Sequence, residues 1–152
     1  MVVRLLTRQG ESLALAESCT GGFIANQITS VPGASAVFPG GIVAYSNEAK
    51  RIFLGVRAKT LAEHGAVSEA TARAMAGGAL KKFGADFAIA VTGVAGPGGG
   101  TKSKPVGTVF IALAGGGKTV VERKLYPAGR EKFKRATANR ALKMLHRRLT
   151  GR

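Results

Sequence analysis

Cysteine, histidine and acidic residues are all scarce in this sequence of 152 residues. The single cysteine, Cys19, excludes an intrachain disulfide and predicts a reducing, cytoplasmic environment. The two histidines and eight Asp and Glu residues form neither a Cys/His cluster nor an HExxH motif, so we expect no metal and no cofactor. No apolar run approaches the roughly 18 residues that cross a bilayer, and the first residues lack the features of a signal peptide. We therefore expect no membrane association.

Positive charge is the largest bias in the composition, because 23 Lys and Arg against 8 Asp and Glu leave a net charge of +15. The excess is concentrated after Lys118, where apolar residues recur at helical spacing and basic residues share another face. The apolar positions are Ala138, Leu142, Leu145 and Leu149, and the basic ones are Arg140, Lys143 and Arg147. This pattern is typical of a solvated basic helix, but it also suits a nucleic-acid surface or an enzyme with a phosphate-bearing substrate. No recognition motif of a nucleic-acid-binding fold accompanies the charge, so nucleic acid is not the partner we expect.

Strand and helix patterns alternate along the chain. Strands are predicted at residues 12–16, 41–46, 87–91, 106–114 and 119–126, the last two joined by glycines at 115–117. Helices are predicted at 3–7, from the first glycine pair through 28, at 47–55 with Asn47 as cap, at 69–83 with Ser68 as cap, and near the C-terminus. A loop is expected between residues 56 and 67. This order favours an α/β fold, a single three-layer α/β/α domain with a mixed sheet over residues 1–152.

Polar or glycine-rich segments follow three of the predicted strands, at residues 18–22, 45–47 and 92–100. Ligands of open α/β sheets bind beyond the carboxyl ends of the strands. If the three strands are neighbours, the segments converge on one pocket.

The first segment places hydroxyl groups before a glycine pair and a predicted helix. Glycine lets a ligand approach the backbone, and a helix N-terminus favours an anion. Thr20, Gly21 and Gly22 are therefore candidate contacts for a phosphate or an oxyanion. The same pattern is also ordinary turn and cap chemistry, and it does not match the P-loop signature.

The third segment, VTGVAGPGGGT, is rich in glycine and is followed by two lysines. A flexible linker is one interpretation. Its position between two strands of the same sheet favours ligand contact instead, with Thr92, Gly93 and Gly96 as candidates.

Ser18 is a candidate nucleophile that needs a base. Neither His64, in a surface-like turn, nor His146, on the basic helix, is well placed for a Ser-His-Asp triad. A partly buried lysine is the other option. Lys50 follows the second strand by one helical turn, where like-charge repulsion from Arg51 would lower its pKa.

Tyr45, at the end of that strand, is placed to relay or share the proton. Spacing alone also fits a Lys50 that is a solvated helix residue and a Tyr45 that is a half-buried strand residue. Cys19 is the alternative nucleophile, although a lone intracellular cysteine is usually a small buried apolar residue.

Five segments, in order along the chain, resemble the signatures of the CinA C-terminal domain family. They are AESCTGG, YSNEAK, GAVSE, VTGVAGPGGGT and KPVGTV, and the resemblance covers residues 5–149. Characterised members of that family are nicotinamide-nucleotide amidases, which hydrolyse the carboxamide of nicotinamide mononucleotide to the acid and ammonia. The resemblance implies a nucleophilic Ser18, catalytic Tyr45 and Lys50, a small-molecule nucleotide substrate, and neither metal nor cofactor.

The sequence departs from the family pattern before the last helix. The family has Gly-Asp-Arg-Glu with a basic residue three positions later, whereas this chain has Ala128, Gly129, Arg130 and Glu131, followed by Lys134. The Asp is missing, but Arg130 remains as a candidate substrate contact. The molybdopterin-binding-like domain of longer members is not expected here. A nucleic-acid-binding module and a non-catalytic nucleotide-binding domain are the alternative functions, and a homo-oligomer is compatible with the sequence.

Overall fold

A computed structural model describes residues 2–151 of the chain as a sheet covered on both faces by helices. The strands are β1 Leu13–Glu17, β2 Gly40–Val43, β3 Phe87–Gly93, β4 Thr108–Gly115 and β5 Lys118–Leu125. The helices are α1 Val2–Gln9, α2 Phe23–Thr29, α3 Asn47–Leu54, α4 Ala58–His64, α5 Glu69–Phe83 and α6 Arg130–Thr150, and a short 3-10 turn spans Ala34–Ala36.

The sheet is mixed, with the order β2-β1-β3-β4-β5. β1 pairs in parallel with both β2 and β3, whereas β3, β4 and β5 are antiparallel. The β4–β5 turn consists of Gly116 and Gly117, with φ of 57° and 76°. A two-residue hairpin with positive φ at both positions needs residues without a Cβ, which explains the glycine run. The predicted three-layer fold with a mixed sheet is confirmed.

The two faces of the sheet are covered by different sets of helices. Large side chains such as Leu13, Leu15, Ile89 and Ile111 meet α1, α2 and α6 on one face. The other face is lined by alanines and packs against α3, α4 and α5. These alanines are Ala14, Ala16, Ala88, Ala90, Ala112 and Ala114. Small side chains allow α5 to lie close to the sheet on this face.

Close helix packing continues between α3 and α5. A Cβ added at Gly78 of α5 would overlap the backbone carbonyl of Leu54, the last residue of α3. The contact therefore requires glycine at this position. No helix among the described residues is long and apolar enough to cross a bilayer.

Several predicted boundaries are corrected by the structure. The cap of α3 is Ser46 rather than Asn47, because the Ala49 N–H donates to the Ser46 hydroxyl at 3.0 Å. β2 accordingly ends at Val43 rather than at residue 46, since the following residues turn toward the helix. β3 extends to Gly93 because Thr92 and Gly93 pair with β4.

The prediction of a loop between residues 56 and 67 is also wrong, because α4 occupies Ala58–His64. Only Leu61 of this helix is buried, so no apolar periodicity marks it in the sequence. By contrast, α5 begins and ends where predicted, and the Ser68 hydroxyl caps it by accepting from Thr71 N–H.

Candidate active site

The segments that follow β1, β2 and β3 surround one cavity of about 310 Å³. β1 lies between the other two strands in the sheet, so their carboxyl ends meet at one edge, as predicted. The predicted site residues that line the cavity are Ser18, Tyr45, Lys50, Thr92, Gly93, Gly96 and Arg130. A wider groove of about 580 Å³ lies beside Arg4, Leu5, Arg8 and Val31, but these residues include no nucleophile.

Ser18 and Lys50 are in direct contact. The Nζ atom of Lys50 lies 3.0 Å from the Oγ atom of Ser18. It also donates to the backbone carbonyls of Ala44, at 3.1 Å, and Tyr45, at 3.4 Å. Lys50 is only 2% exposed and Ser18 7% exposed. The lysine is therefore a buried amine aimed at the serine, and the interpretation as a solvated helix residue is wrong.

Burial lowers the pKa of Lys50 below its ordinary value of 10.5. No carboxylate within residues 2–151 lies within 4.0 Å of its amine, so nothing of opposite charge compensates the burial. The sequence suggested partial burial of Lys50 with added repulsion from Arg51, but the Arg51 side chain is exposed on α3. The cause is loss of solvent around the amine rather than like-charge repulsion.

Cys19 is a poor rival nucleophile. Burial, together with the negative charge of Glu17, raises the pKa of its thiol to about 12. The thiolate is the reactive form, and it is scarce at neutral pH when the pKa is so high. Cys19 therefore lines the cavity beside Ser18, but its thiol is not activated as a nucleophile.

The Tyr45 side chain lies at the mouth of the cavity and not beside Ser18. It is 63% exposed, and its hydroxyl accepts a hydrogen bond from Arg130 at 3.2 Å. Its backbone carbonyl, not its hydroxyl, contacts Lys50. The interpretation of Tyr45 as a half-buried strand residue is therefore wrong, because β2 ends before it and the side chain turns outward.

Arg130 connects the mouth of the cavity to the glycine-rich segment. Besides its contact with Tyr45, its guanidinium donates to the Gly96 carbonyl at 2.6 Å. Arg130 is the first residue of α6, and Gly129 precedes it as the N-cap. The side chain is exposed, so these two contacts are exchangeable for contacts with a ligand.

Thr92 and Gly93 lie at the end of β3 and form the cavity floor. The Thr92 hydroxyl donates to the Ala66 carbonyl at 2.8 Å, which leaves its oxygen free to accept a hydrogen bond. A Cβ at Gly93 would lie 2.6 Å from the Thr108 carbonyl oxygen, so glycine is needed for strand packing there.

Thr20, Gly21 and Gly22 are the predicted contacts that do not line the cavity. The Thr20 hydroxyl and the Gly22 N–H both donate to the carboxylate of Glu17, at 2.6 and 3.1 Å. The donors that the sequence assigned to a phosphate are therefore occupied by a side chain of the protein itself. The N–H groups of Cys19 and Thr20 have no acceptor within residues 2–151 and remain free.

Glu17 is a residue of the site region that the sequence did not single out, whereas Asn47 belongs to the segment 45–47 that was expected at the pocket. Asn47, at the start of α3, lines the cavity. An isolated acidic residue at the end of an apolar strand, directly before a glycine pair and a helix, was the signal for Glu17. The described residues contain no group of three or more His, Cys, Asp or Glu side chains that could hold a metal ion.

A sequence model of the CinA C-terminal domain matches residues 1–149 of the chain. A CinA-like protein from Anaeromyxobacter sp. (strain Fw109-5) is 55% identical over 146 residues, which cover 95% of this chain and 35% of that protein. A CinA-like protein from Akkermansia muciniphila is 54% identical over 142 residues, covering 93% of this chain and 34% of that protein. The chain thus spans about a third of the length of these curated relatives.

Solved structures share the fold. A CinA superfamily protein from Klebsiella pneumoniae superimposes with a TM-score of 0.95 at 40% identity, covering 99% of this chain and 94% of that chain. The competence/damage inducible protein CihA from Agrobacterium tumefaciens has a TM-score of 0.94 at 45% identity, covering 98% and 91%.

Proposed function

Because the chain belongs to the CinA C-terminal domain family, we propose that it is an amidohydrolase that converts nicotinamide mononucleotide to nicotinic acid mononucleotide and ammonia. The contact of 3.0 Å between Ser18 Oγ and Lys50 Nζ carries this proposal. A serine beside a buried amine is a nucleophile paired with a base, the arrangement that acyl transfer requires.

In the resting enzyme Lys50 is neutral. A neutral amine has two N–H groups and one lone pair, and the carbonyls of Ala44 and Tyr45 accept the two hydrogens. The lone pair is then directed at Ser18 and takes its proton as Oγ attacks the carboxamide carbon. The resulting ammonium of Lys50 protonates the leaving nitrogen, and ammonia departs. Water then cleaves the acyl-enzyme by the same proton transfers in reverse.

The N–H group of Cys19, which lines the cavity directly after Ser18 and has no acceptor within residues 2–151, supports a site for the oxyanion. Preorganised donors of this kind are typically worth about 100- to 1,000-fold in rate. The amides of the glycine-rich segment at residues 92–96 are the alternative donors, since Ala95 and Gly96 also line the cavity. The Gly22 N–H is excluded because it donates to Glu17.

The phosphate end of the substrate is proposed to bind at the cavity mouth, where Arg130 is exposed beside the glycine-rich segment. The phosphate would replace the Gly96 carbonyl and the Tyr45 hydroxyl as acceptors for the guanidinium. In this arrangement Tyr45 acts on substrate binding more than on proton transfer. A cytoplasmic location, where nucleotides are found, belongs to the same proposal.

Ammonia release tests the proposal directly. Purified protein is incubated with nicotinamide mononucleotide in the presence of EDTA, and ammonia is measured for the wild type, Ser18→Ala and Cys19→Ala. We expect activity in the wild type, none above background in Ser18→Ala, and most of it retained in Cys19→Ala, whose thiol is unreactive. An active Ser18→Ala variant, or activity that requires a divalent ion, would contradict the mechanism.

A further inference from the structure

Glu17 is a buried carboxylate to which the proposed mechanism gives no role. It is the last residue of β1, stands directly before Ser18 and is 1% exposed. One carboxylate oxygen accepts from the Thr20 hydroxyl at 2.6 Å and from the N–H groups of Gly22 and Ile24, both at 3.1 Å. The other oxygen accepts from the Ala25 N–H at 2.8 Å.

The turn that Glu17 holds has little intrinsic rigidity. Gly21 and Gly22 adopt φ of 59° and 96°, which residues with a Cβ rarely adopt. Glycine has the least restricted backbone of all residues, so the two glycines do not fix this conformation by themselves. Backbone contacts hold the turn at three further points, since Ser18 N–H donates to the Val91 carbonyl, Gly21 N–H to the Ser18 carbonyl and Phe23 N–H to the Thr20 carbonyl. The carboxylate supplies the acceptors for the Thr20 hydroxyl and for the N–H groups of Gly22, Ile24 and Ala25. Without it the buried donors, the Thr20 hydroxyl and the Ile24 N–H, would be unsatisfied, which costs about 1–3 kcal/mol each.

We propose that Glu17 is a positioning residue, whose carboxylate holds the turn at residues 18–22 so that Ser18 Oγ stays within reach of the Lys50 amine. Its contacts with α2 replace those that an anionic ligand would make, so this turn binds no phosphate. The inference rests on the proposed function only in that the serine is the nucleophile. The predicted effect is on the rate of the step that Ser18 performs, because displacement of a reacting group by about 1 Å can cost about 100-fold.

A covalent probe tests the role independently of the amide substrate. A fluorophosphonate reacts with an activated serine, since the Oγ–P bond forms, the P–F bond breaks, fluoride leaves and the hydroxyl proton passes to Lys50. The labelling rate of Ser18, followed by mass spectrometry, is compared with kcat and KM for nicotinamide mononucleotide. Glu17→Gln keeps the shape of the side chain but places an NH₂ group where one donor requires an acceptor.

Asp86 provides the matched control at the opposite end of β1. Its carboxylate accepts from the N–H and the hydroxyl of Ser12, both at 2.8 Å. Asp86→Asn therefore alters a carboxylate that contacts the residue before β1, far from the cavity. Thr20→Val is a milder variant that removes only one of the four contacts of Glu17, and it provides the test if Glu17→Gln does not fold.

We expect Glu17→Gln to lower the labelling rate and kcat by about 10- to 100-fold with little change in KM. Thr20→Val is expected to fall between this variant and the wild type, and Asp86→Asn to label at the wild-type rate. The pH at which the labelling rate rises stays the same in Glu17→Gln, because Lys50 remains the base.

Three results would overturn the inference. They are wild-type labelling rates in both Glu17→Gln and Thr20→Val, a shifted pH profile, and a gain in phosphate affinity with unchanged kcat. A wild type that labels but releases no ammonia contradicts the proposed function and leaves this test intact. A wild type that is inert in both assays contradicts the nucleophile and this inference with it.

Discussion

Among the individual side chains, Lys50 has the largest consequence for chemistry. A charged amine loses its hydration when it is buried, and no carboxylate in residues 2–151 replaces that stabilisation within 4.0 Å. Burial therefore shifts the equilibrium of Lys50 toward its neutral form, and its amine meets the Ser18 hydroxyl. The same burial that disfavours a charged lysine supports its proposed role as a base.

The pH dependence of the rate follows from this burial. Lys50 must be neutral to accept the serine proton, and its pKa is lowered by desolvation. kcat/KM should therefore rise with pH through an apparent pKa below the roughly 10.4 of a free lysine. In Lys50→Arg the guanidinium keeps the charge but does not deprotonate, so we expect a loss of at least about 100-fold between pH 7 and 9.

Tyr45→Phe serves as the comparison in the same pH series. Its hydroxyl contacts Arg130 rather than Lys50, so we expect a smaller loss of kcat than in Lys50→Arg and an unchanged pH profile. Full activity of Lys50→Arg across the range would rule out the lysine as the base.

At the level of helices and strands, the position of Lys50 depends on how closely α3 packs on α5. The Leu54 carbonyl of α3 lies over Gly78, where no Cβ fits. Gly77, the neighbouring residue of α5, has nothing within 4 Å of a Cβ. Two adjacent glycines in one helix therefore have opposite roles, the first being replaceable and the second required by packing.

Alanine substitution separates these roles. Gly77→Ala should raise the free energy of unfolding by about 0.5–1 kcal/mol, because alanine loses less backbone entropy in a helix. Gly78→Ala should lower it by about 1–3 kcal/mol through overpacking, and should also reduce kcat because α3 moves with Lys50. Urea denaturation and the ammonia assay measure the two effects. A Gly78→Ala protein as stable and as active as Gly77→Ala would show that α3 is not positioned by this contact.

Across the whole molecule the dominant feature is unbalanced charge. The sequence carries a net charge of +15. Within the described residues, carboxylates lie within 4.0 Å of Lys59, Arg73, Lys124 and Arg140, and of no other Lys or Arg. Repulsion among the remaining cations opposes the compact state, and salt screens it over about 10 Å at 0.1 M.

Salt should therefore stabilise the fold. We expect Tm to rise by several degrees between about 0.02 and 0.5 M NaCl, because the Debye length falls from more than 20 Å to less than 5 Å. Differential scanning fluorimetry at neutral pH measures this, with a variant carrying Lys132→Glu and Lys143→Glu as the control with less repulsion. The control should show a smaller rise. A Tm that falls with NaCl would mean that ion pairs, not repulsion, dominate the electrostatics.

The order of elements and the mixed sheet could be predicted from the sequence, because periodicity, caps and turn glycines act over a few residues. Ser68 and the span of α5 are the clearest case, and the glycine hairpin between β4 and β5 is another. The convergence of three strand ends on one cavity could also be predicted from the sequence, since neighbouring parallel strands end at the same edge of the sheet. Helix α4 could not be predicted, because its single buried residue produces no periodic signal.

The directions of the site side chains were decided only by the tertiary structure. Lys50 lies in NEAKRIFL, where nothing local distinguishes a buried base from a solvated lysine, and its partner Ser18 is 32 residues away. The Tyr45 hydroxyl points outward and contacts Arg130, which lies 85 residues further along the chain. The Glu17 carboxylate points inward and occupies the donors that the sequence suggested for a phosphate. Composition and spacing determine which groups are available. Burial and the exchange of hydrogen-bond partners, which arise only when distant segments pack together, decide which of those groups meet.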